Sequence, residues 1–187
     1  MNIFLEHIVK KKRDRKDMLV IIALVAATLL VDAIILFILQ YLYVTTPDTA
    51  QQISGICLLL IAGTWYGTVK LIARRNVEYE YTLTGNTLDI DAIYARKKRQ
   101  NVLSVKIRDF DICAPCADEA YTSQYLDVHR IKFHYMLAST EMNYFSYFAD
   151  FRYNGEWVRL IFEPTHSMLK AMKSINPNKV HIGEQDK

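Results

Sequence analysis

Four residues in the second half of the chain have the spacing of a metal centre. Cys113 and Cys116 have two residues between them, and after twelve more come His129 and His134 with four between, the arrangement of Cys2His2 zinc sites. Binding zinc would require all four side chains to converge. A helix through the two histidines permits that, whereas a strand sends side chains five apart to opposite faces. Between the cysteine and histidine pairs Tyr121 and Leu126 could pack around an ion, but Asp118 and Glu119 place charge in the same segment. The sequence therefore favours a coincidence of spacing. No metal and no cofactor are expected, and Cys113, Cys116, His129 and His134 stand as the alternative.

A second chemical candidate is Asp32, an acid inside a long apolar run. An ionisable side chain in hydrocarbon costs about 2.5 to 3.5 kcal/mol on insertion scales and needs a partner. By depth Thr64 is the nearest polar residue on the following apolar run, and Thr28 lies one turn before Asp32. Gly63 and Gly67 form a small-xxx-small pair at the depth of Ala23 and Ala27, which predicts close helix packing. The third candidate is cationic. Lys10, Lys11, Lys12 and Arg13 follow an apolar N-terminal stretch, and Arg96, Lys97, Lys98 and Arg99 form a basic turn. Both groups suit contact with lipid headgroups or an acidic partner. Signatures of an enzyme are missing: there is no phosphate-cradling glycine loop, nucleophile elbow or His-Glu-x-x-His.

The elements that hold these residues are dominated by two apolar runs, residues 18–43 and 53–72. Each is long enough to cross a hydrocarbon layer of about 30 Å. Basic residues precede the first run and end the second, while the connection has neither Lys nor Arg, so residues 2–17 and 76–187 are expected in the cytoplasm and residues 45–52 outside. The expected organisation is a basic cytoplasmic or interfacial segment (1–17), a two-span transmembrane hairpin (18–75) and one cytoplasmic domain (76–187). Acids and bases nearly balance in that last segment. The net charge of +3 thus reflects the membrane flanks and suits a membrane surface better than nucleic acid. Three cysteines, with Cys57 inside a span, make no disulfide framework.

Beyond residue 76, apolar and polar residues alternate with the period of strands. Val77, Tyr79, Tyr81 and Leu83 are followed by the turn Gly85-Asn86, then by Leu88, Ile90, Ala92 and Tyr94. A third strand carries Leu103, Val105 and Ile107, and the change of parity at Phe110 and Ile112 predicts a bulge near residues 108–109. Residues 118–124 read as a loop or helical turn, and residues 129–135 as a short strand. Asn154-Gly155 closes a final hairpin that sets Phe145, Tyr147, Ala149, Phe151, Val158, Leu160 and Phe162 inward. On its other, solvent-facing side lie Asp150 opposite Arg159 and Arg152 opposite Trp157. A helix capped by Thr165 then presents Met168, Leu169, Met172 and Ile175 before Asn176-Pro177 ends it.

Antiparallel strands closed by one amphipathic helix resemble the pleckstrin-homology-like (PH-like) fold. The two-span hairpin followed by Tyr79-Glu-Tyr-Thr-Leu-Thr-Gly85, the basic turn and Asn101-Val-Leu-Ser-Val105 looks like bacterial membrane proteins with PH-like domains. With Cys113-Ala-Pro115 and Leu160-Ile-Phe-Glu-Pro164, the whole chain is similar to an uncharacterised family of small bacterial two-pass proteins. The resemblance implies an α+β membrane protein: a two-helix transmembrane hairpin, then a PH-like split barrel or antiparallel sheet with a C-terminal amphipathic helix. The expected function is a non-enzymatic binding or scaffold module at the inner membrane's cytoplasmic face. Its expected partners are anionic inner-leaflet lipids, a second copy or another membrane protein. An ion-coupled or transport-associated component using Asp32 is the alternative.

Overall fold

The computed structural model describes residues 3–140 and 145–183. In chain order it contains β1 (Phe4–Lys10), α1 (Arg15–Thr45), α2 (Pro47–Arg74), β2 (Val77–Thr84), β3 (Thr87–Tyr94), β4 (Lys98–Lys106), β5 (Phe110–Pro115), α3 (Thr122–Leu126), β6 (Phe133–Met136), β7 (Tyr147–Tyr153), β8 (Glu156–Phe162) and α4 (His166–Ile175). Two compact units result: residues 13–76, and residues 1–12 together with 77–187.

Helices α1 and α2 are both long and apolar enough to cross a membrane. Asp14 starts α1 by accepting a hydrogen bond from the Arg15 amide at 2.6 Å, and the Asp17 side chain completes a capping box. Only Thr46 separates the helices, so the expected loop over residues 44–52 is largely helix. Its own residues explain this, since Pro47 suits the first helical turn and Asp48 favours the positive end of the helix dipole. The helices therefore outrun the expected spans at both ends.

The N-terminal segment is the main correction to the expected organisation. Residues 4–10 are not a separate interfacial element; they form an edge strand on β2, from Phe4 opposite Thr84 to Lys10 opposite Glu78. Leu5, His7 and Val9 turn toward the core, while Phe4, Glu6, Ile8 and Lys10 face outward. The outward row mixes apolar and charged residues, which hides the strand period. Consequently the domain is discontinuous, with the helical hairpin inserted between two neighbouring strands of one sheet.

That sheet has the order β1-β2-β3-β4, and a second has β5-β7-β8-β6. Tyr81, Leu83, Leu88, Ile90 and Leu103 from the first, with Ile107 just after β4, meet Phe151, Leu160 and Phe162 from the second, with Met168, Leu169 and Met172 of α4 in the same core. Thr165 caps α4, accepting from the Met168 amide at 3.3 Å. The parity change near residue 108 is a 3-10 turn, Ile107–Asp109, that separates β4 from β5. The irregularity of β4 lies earlier, where Ile90 faces Leu103 but Asp91 faces Asn101.

The final hairpin has the expected register, Tyr147 opposite Phe162 through Tyr153 opposite Glu156. Phe145 departs from expectation at 62% exposed, because β7 begins only at Tyr147. The larger departure concerns the hairpin's other face. A second apolar cluster of Ala114, Cys116, Ala138, Phe148 and Ile161, with Tyr121, Tyr125 and Met136 beside it, covers that side. Asp150 and Arg159 are thereby buried rather than exposed, at 0% and 1%.

Candidate functional site

Within the helical unit, Asp32 is buried and accepts a hydrogen bond from the Thr64 hydroxyl at 2.9 Å. Thr28 pairs with Thr68 instead, the two hydroxyl oxygens being 2.6 Å apart. Threonine side chains thus make the polar contacts between the helices. Gly63 and Gly67 do not provide the expected close approach, because a Cβ placed on either would meet nothing within 4 Å. They border an open groove on one side of the hairpin.

In the sheet unit, the basic residues gather at one end of β1-β2-β3-β4. The ladder there runs from Lys10 to Glu78, from Glu78 to Ile93 and from Ile93 to Arg99. The same end carries the β3–β4 turn and the two points where the chain leaves and re-enters the sheet, joined by a hydrogen bond from the Lys11 amide to the Val77 carbonyl at 3.0 Å. Ala95 and Arg96 occupy the turn with φ of 51° and 57°. Left-handed backbone costs a non-glycine residue about 1 kcal/mol or more, so this turn is strained where the Asn154-Gly155 turn is not.

The eight candidate cations are not equivalent. Arg96 is held by Glu78 at 3.1 Å, and Arg99 by Glu80 and Asp91. Arg13 donates to Asn76 at 3.2 Å within the helical unit. Lys10, Lys11, Lys12, Lys97 and Lys98 are exposed and form no ion pair among the described residues. They are the side chains left free to meet an external anion.

The zinc spacing does not assemble a site. Cys113 and Cys116 are buried on β5 and the turn that follows, whereas His129 and His134 are exposed. His134 lies on a strand parallel to β8, opposite Arg159 and so on the same face as the Cys116 cluster, but it is exposed there while both cysteines are buried. No cluster of three or more metal-binding side chains occurs among the described residues. Burial pushes the Cys113 thiol far up and the Cys116 thiol up to about 12, the Arg159 charge opposing the latter shift. Both sulfurs are thus poor thiolates, which removes the basis for a redox dithiol.

Two groupings escaped the sequence reading. In the first, Arg159 Nε and Nη2 bind the two Asp150 oxygens at 2.7 and 2.8 Å. The same guanidinium donates to the backbone carbonyls of Gln124, Tyr125 and Asp127, fastening the β5–β6 connection over the sheet. In the second, Glu163 accepts from the Ser139 amide and hydroxyl at 3.2 and 2.7 Å, and Tyr81 donates to the Leu137 carbonyl at 2.5 Å. The Lys12 amide donates to the Ser139 carbonyl at 2.8 Å, which ties the end of β1 to this connection. The only prior signal for the first grouping was the facing of Asp150 and Arg159 across a hairpin.

His7 lies beside Tyr81, with ring centroids 6.0 Å apart. Burial lowers its pKa below the ordinary 6.5, and the Glu163 charge partly offsets the shift. The stability linked to this depressed pKa is present above 6.5 and is lost as pH falls through the lower folded value, because the unfolded chain takes up the proton first. Glu163→Gln should lower the His7 pKa further. An NMR titration of the imidazole showing an unchanged or raised pKa would refute that assignment.

Paired sheets closed by a C-terminal helix, interrupted after the first strand by a long apolar hairpin, define a PH-like domain bearing two helices apolar enough to span a membrane. The family described as Bacterial PH-like domain (DUF6106) matches residues 1–182, and the chain belongs to that family. No curated protein and no solved structure matches it significantly.

Proposed function

We propose that the protein is a non-enzymatic binding module anchored in the inner membrane by α1 and α2. In this reading residues 2–17 and 76–187 are cytoplasmic, Thr46 lies outside, and Lys10, Lys11, Lys12, Lys97 and Lys98 meet anionic headgroups. The carrying observation is that β1 and β2, which flank the helical hairpin, pair in one sheet. Strands so paired occupy one compartment, and the distribution of Lys and Arg favours the cytoplasm. The connections are short, residues 11–14 between β1 and α1 and residues 75–76 between α2 and β2, and short tethers support contact between the sheet unit and the bilayer in this reading. Near an anionic leaflet each free lysine contributes about 1 kcal/mol. This reading is preferred to ion coupling at Asp32, whose carboxylate already receives the Thr64 hydroxyl.

Lysine footprinting of the full chain in nanodiscs tests the lipid contact. Acetylation of Lys97 and Lys98 should slow when zwitterionic lipid is replaced by anionic lipid, and equal reactivity in both would discard the contact. Orientation is checked separately with an impermeant thiol reagent on intact cells. Thr46→Cys should label and Ser174→Cys should not; the reverse pattern would invert the topology.

A further inference from the structure

The open edge of β1 combines two features that a single kind of ligand satisfies. Odd residues of the strand pair with β2, as the bonds from the Gly85 amide to the Ile3 carbonyl and from the Lys11 amide to the Val77 carbonyl show. Strand geometry therefore turns the backbone N–H and C=O groups of Phe4, Glu6, Ile8 and Lys10 outward. Among the described residues none of these groups has a partner. Beside the strand's first half lies a trough of ≈ 500 Å³. Phe4 and Leu5 form one wall, the small side chains Ser167, Ala171 and Ser174 of α4 form the other, and Lys170 stands on the rim.

We infer that this edge and trough form a strand-addition site for an extended segment of a partner protein carrying apolar residues and a carboxylate. The row of unpaired peptide groups calls for another backbone, which neither an acyl chain nor a small apolar molecule supplies. Leu5 and Ala171 then receive one apolar side chain of the added strand, since alternate residues of a strand face the same side. Lys170 is exposed and forms no ion pair among the described residues, so it supplies the charge that selects an acidic residue at the trough. The site depends on the fold of the sheet unit and is independent of the lipid contact proposed above.

The test uses the full chain in nanodiscs and a displayed library of octapeptides with alternating apolar and acidic positions. A recovered peptide should slow amide exchange at Glu6, Ile8 and Lys10. Glu6→Pro removes an outward N–H without touching the β2 ladder, and Ala171→Trp fills the trough; each should weaken binding by about tenfold or more. Lys170→Glu should turn selection toward basic peptides. Retained protection of the Leu5, His7 and Val9 amides verifies that β1 remains paired in each variant, and if Glu6→Pro loses it the two α4 variants decide. Recovery of no peptide, equal affinity for the correctly folded variants, or exchange that slows only elsewhere would overturn the site.

Discussion

Arg159→Ala is expected to destabilise the sheet unit by about 3 to 5 kcal/mol, because it leaves the Asp150 carboxylate buried without its principal partner. Leu160→Ala, which only opens a cavity in the core, should cost about 2 to 5 kcal/mol. On the solvent-facing side expected from the sequence, the pair of Asp150 and Arg159 would be worth only about 0 to 1 kcal/mol. Burial raises the cost of losing Arg159 to the scale of the core truncation. Arg130 lies 3.6 Å from Asp150, but its side chain is 39% exposed and cannot replace the two close Arg159 bonds. A double replacement by Met at 159 and Leu at 150 should recover only part of the loss, since the carbonyls of Gln124, Tyr125 and Asp127 lose their shared donor. Denaturant melts of the full chain in detergent, followed by near-UV circular dichroism, measure the effect. A loss below about 1 kcal/mol for Arg159→Ala would show that the pair is solvated after all.

Removal of residues 1–12 should abolish the folded sheet unit, although the deletion leaves the whole segment after the helices intact. It unpairs every residue of β2 from β1 and uncovers Tyr79, Tyr81 and Leu83, which are at most 8% exposed in the intact chain. It also removes Val9 from the core and the Lys12 bond to Ser139. By contrast, replacing residues 12–76 with Asn-Gly should give a protein that folds without detergent. Lys11 and Val77 are already hydrogen-bonded, as the residues flanking a two-residue hairpin loop must be. Two-dimensional amide spectra distinguish the products. A well-dispersed spectrum from the first deletion, or a collapsed one from the second, would show that β1 is dispensable or that the helices are required for the sheet to form.

Where the two faces of an element differ in polarity, the sequence was readable. The final hairpin register followed from its alternation and from Asn154-Gly155, and α4 followed from its cap and apolar stripe. Legibility failed where burial depends on what a distant segment does. Nothing near Asp150 or Arg159 signals that the β5–β6 connection folds over them, because its anchoring groups are backbone carbonyls, present in every sequence. Phe4 and Ile8 on the outer row likewise concealed β1, since exposed apolar residues at alternate positions erase the two-residue period. The zinc spacing carried little weight for a related reason: a linear interval says nothing of which way strands turn their side chains or which of them are buried. The basic clusters were visible as clusters, but which cations remain free depended on Glu78, Glu80 and Asp91 across the sheet.

The insertion of the hairpin between β1 and β2 also orders events during synthesis. The first strand leaves the ribosome long before its neighbour exists, and at about 5 to 20 residues per second it waits several seconds for β2 to be made. During that interval Phe4, Leu5, Ile8 and Val9 have no sheet to join and are open to chaperones or to misplaced pairing. Forming the helical hairpin first changes the search: Arg13 and Asn76 then stand 3.2 Å apart at its base, so the long intervening loop is already closed when β2 emerges. Much of the entropy of bringing distant chain ends together is thus lost in forming the hairpin, before the sheet forms. If the helices insert as proposed, formation of the hairpin would be the nucleating step for the sheet unit.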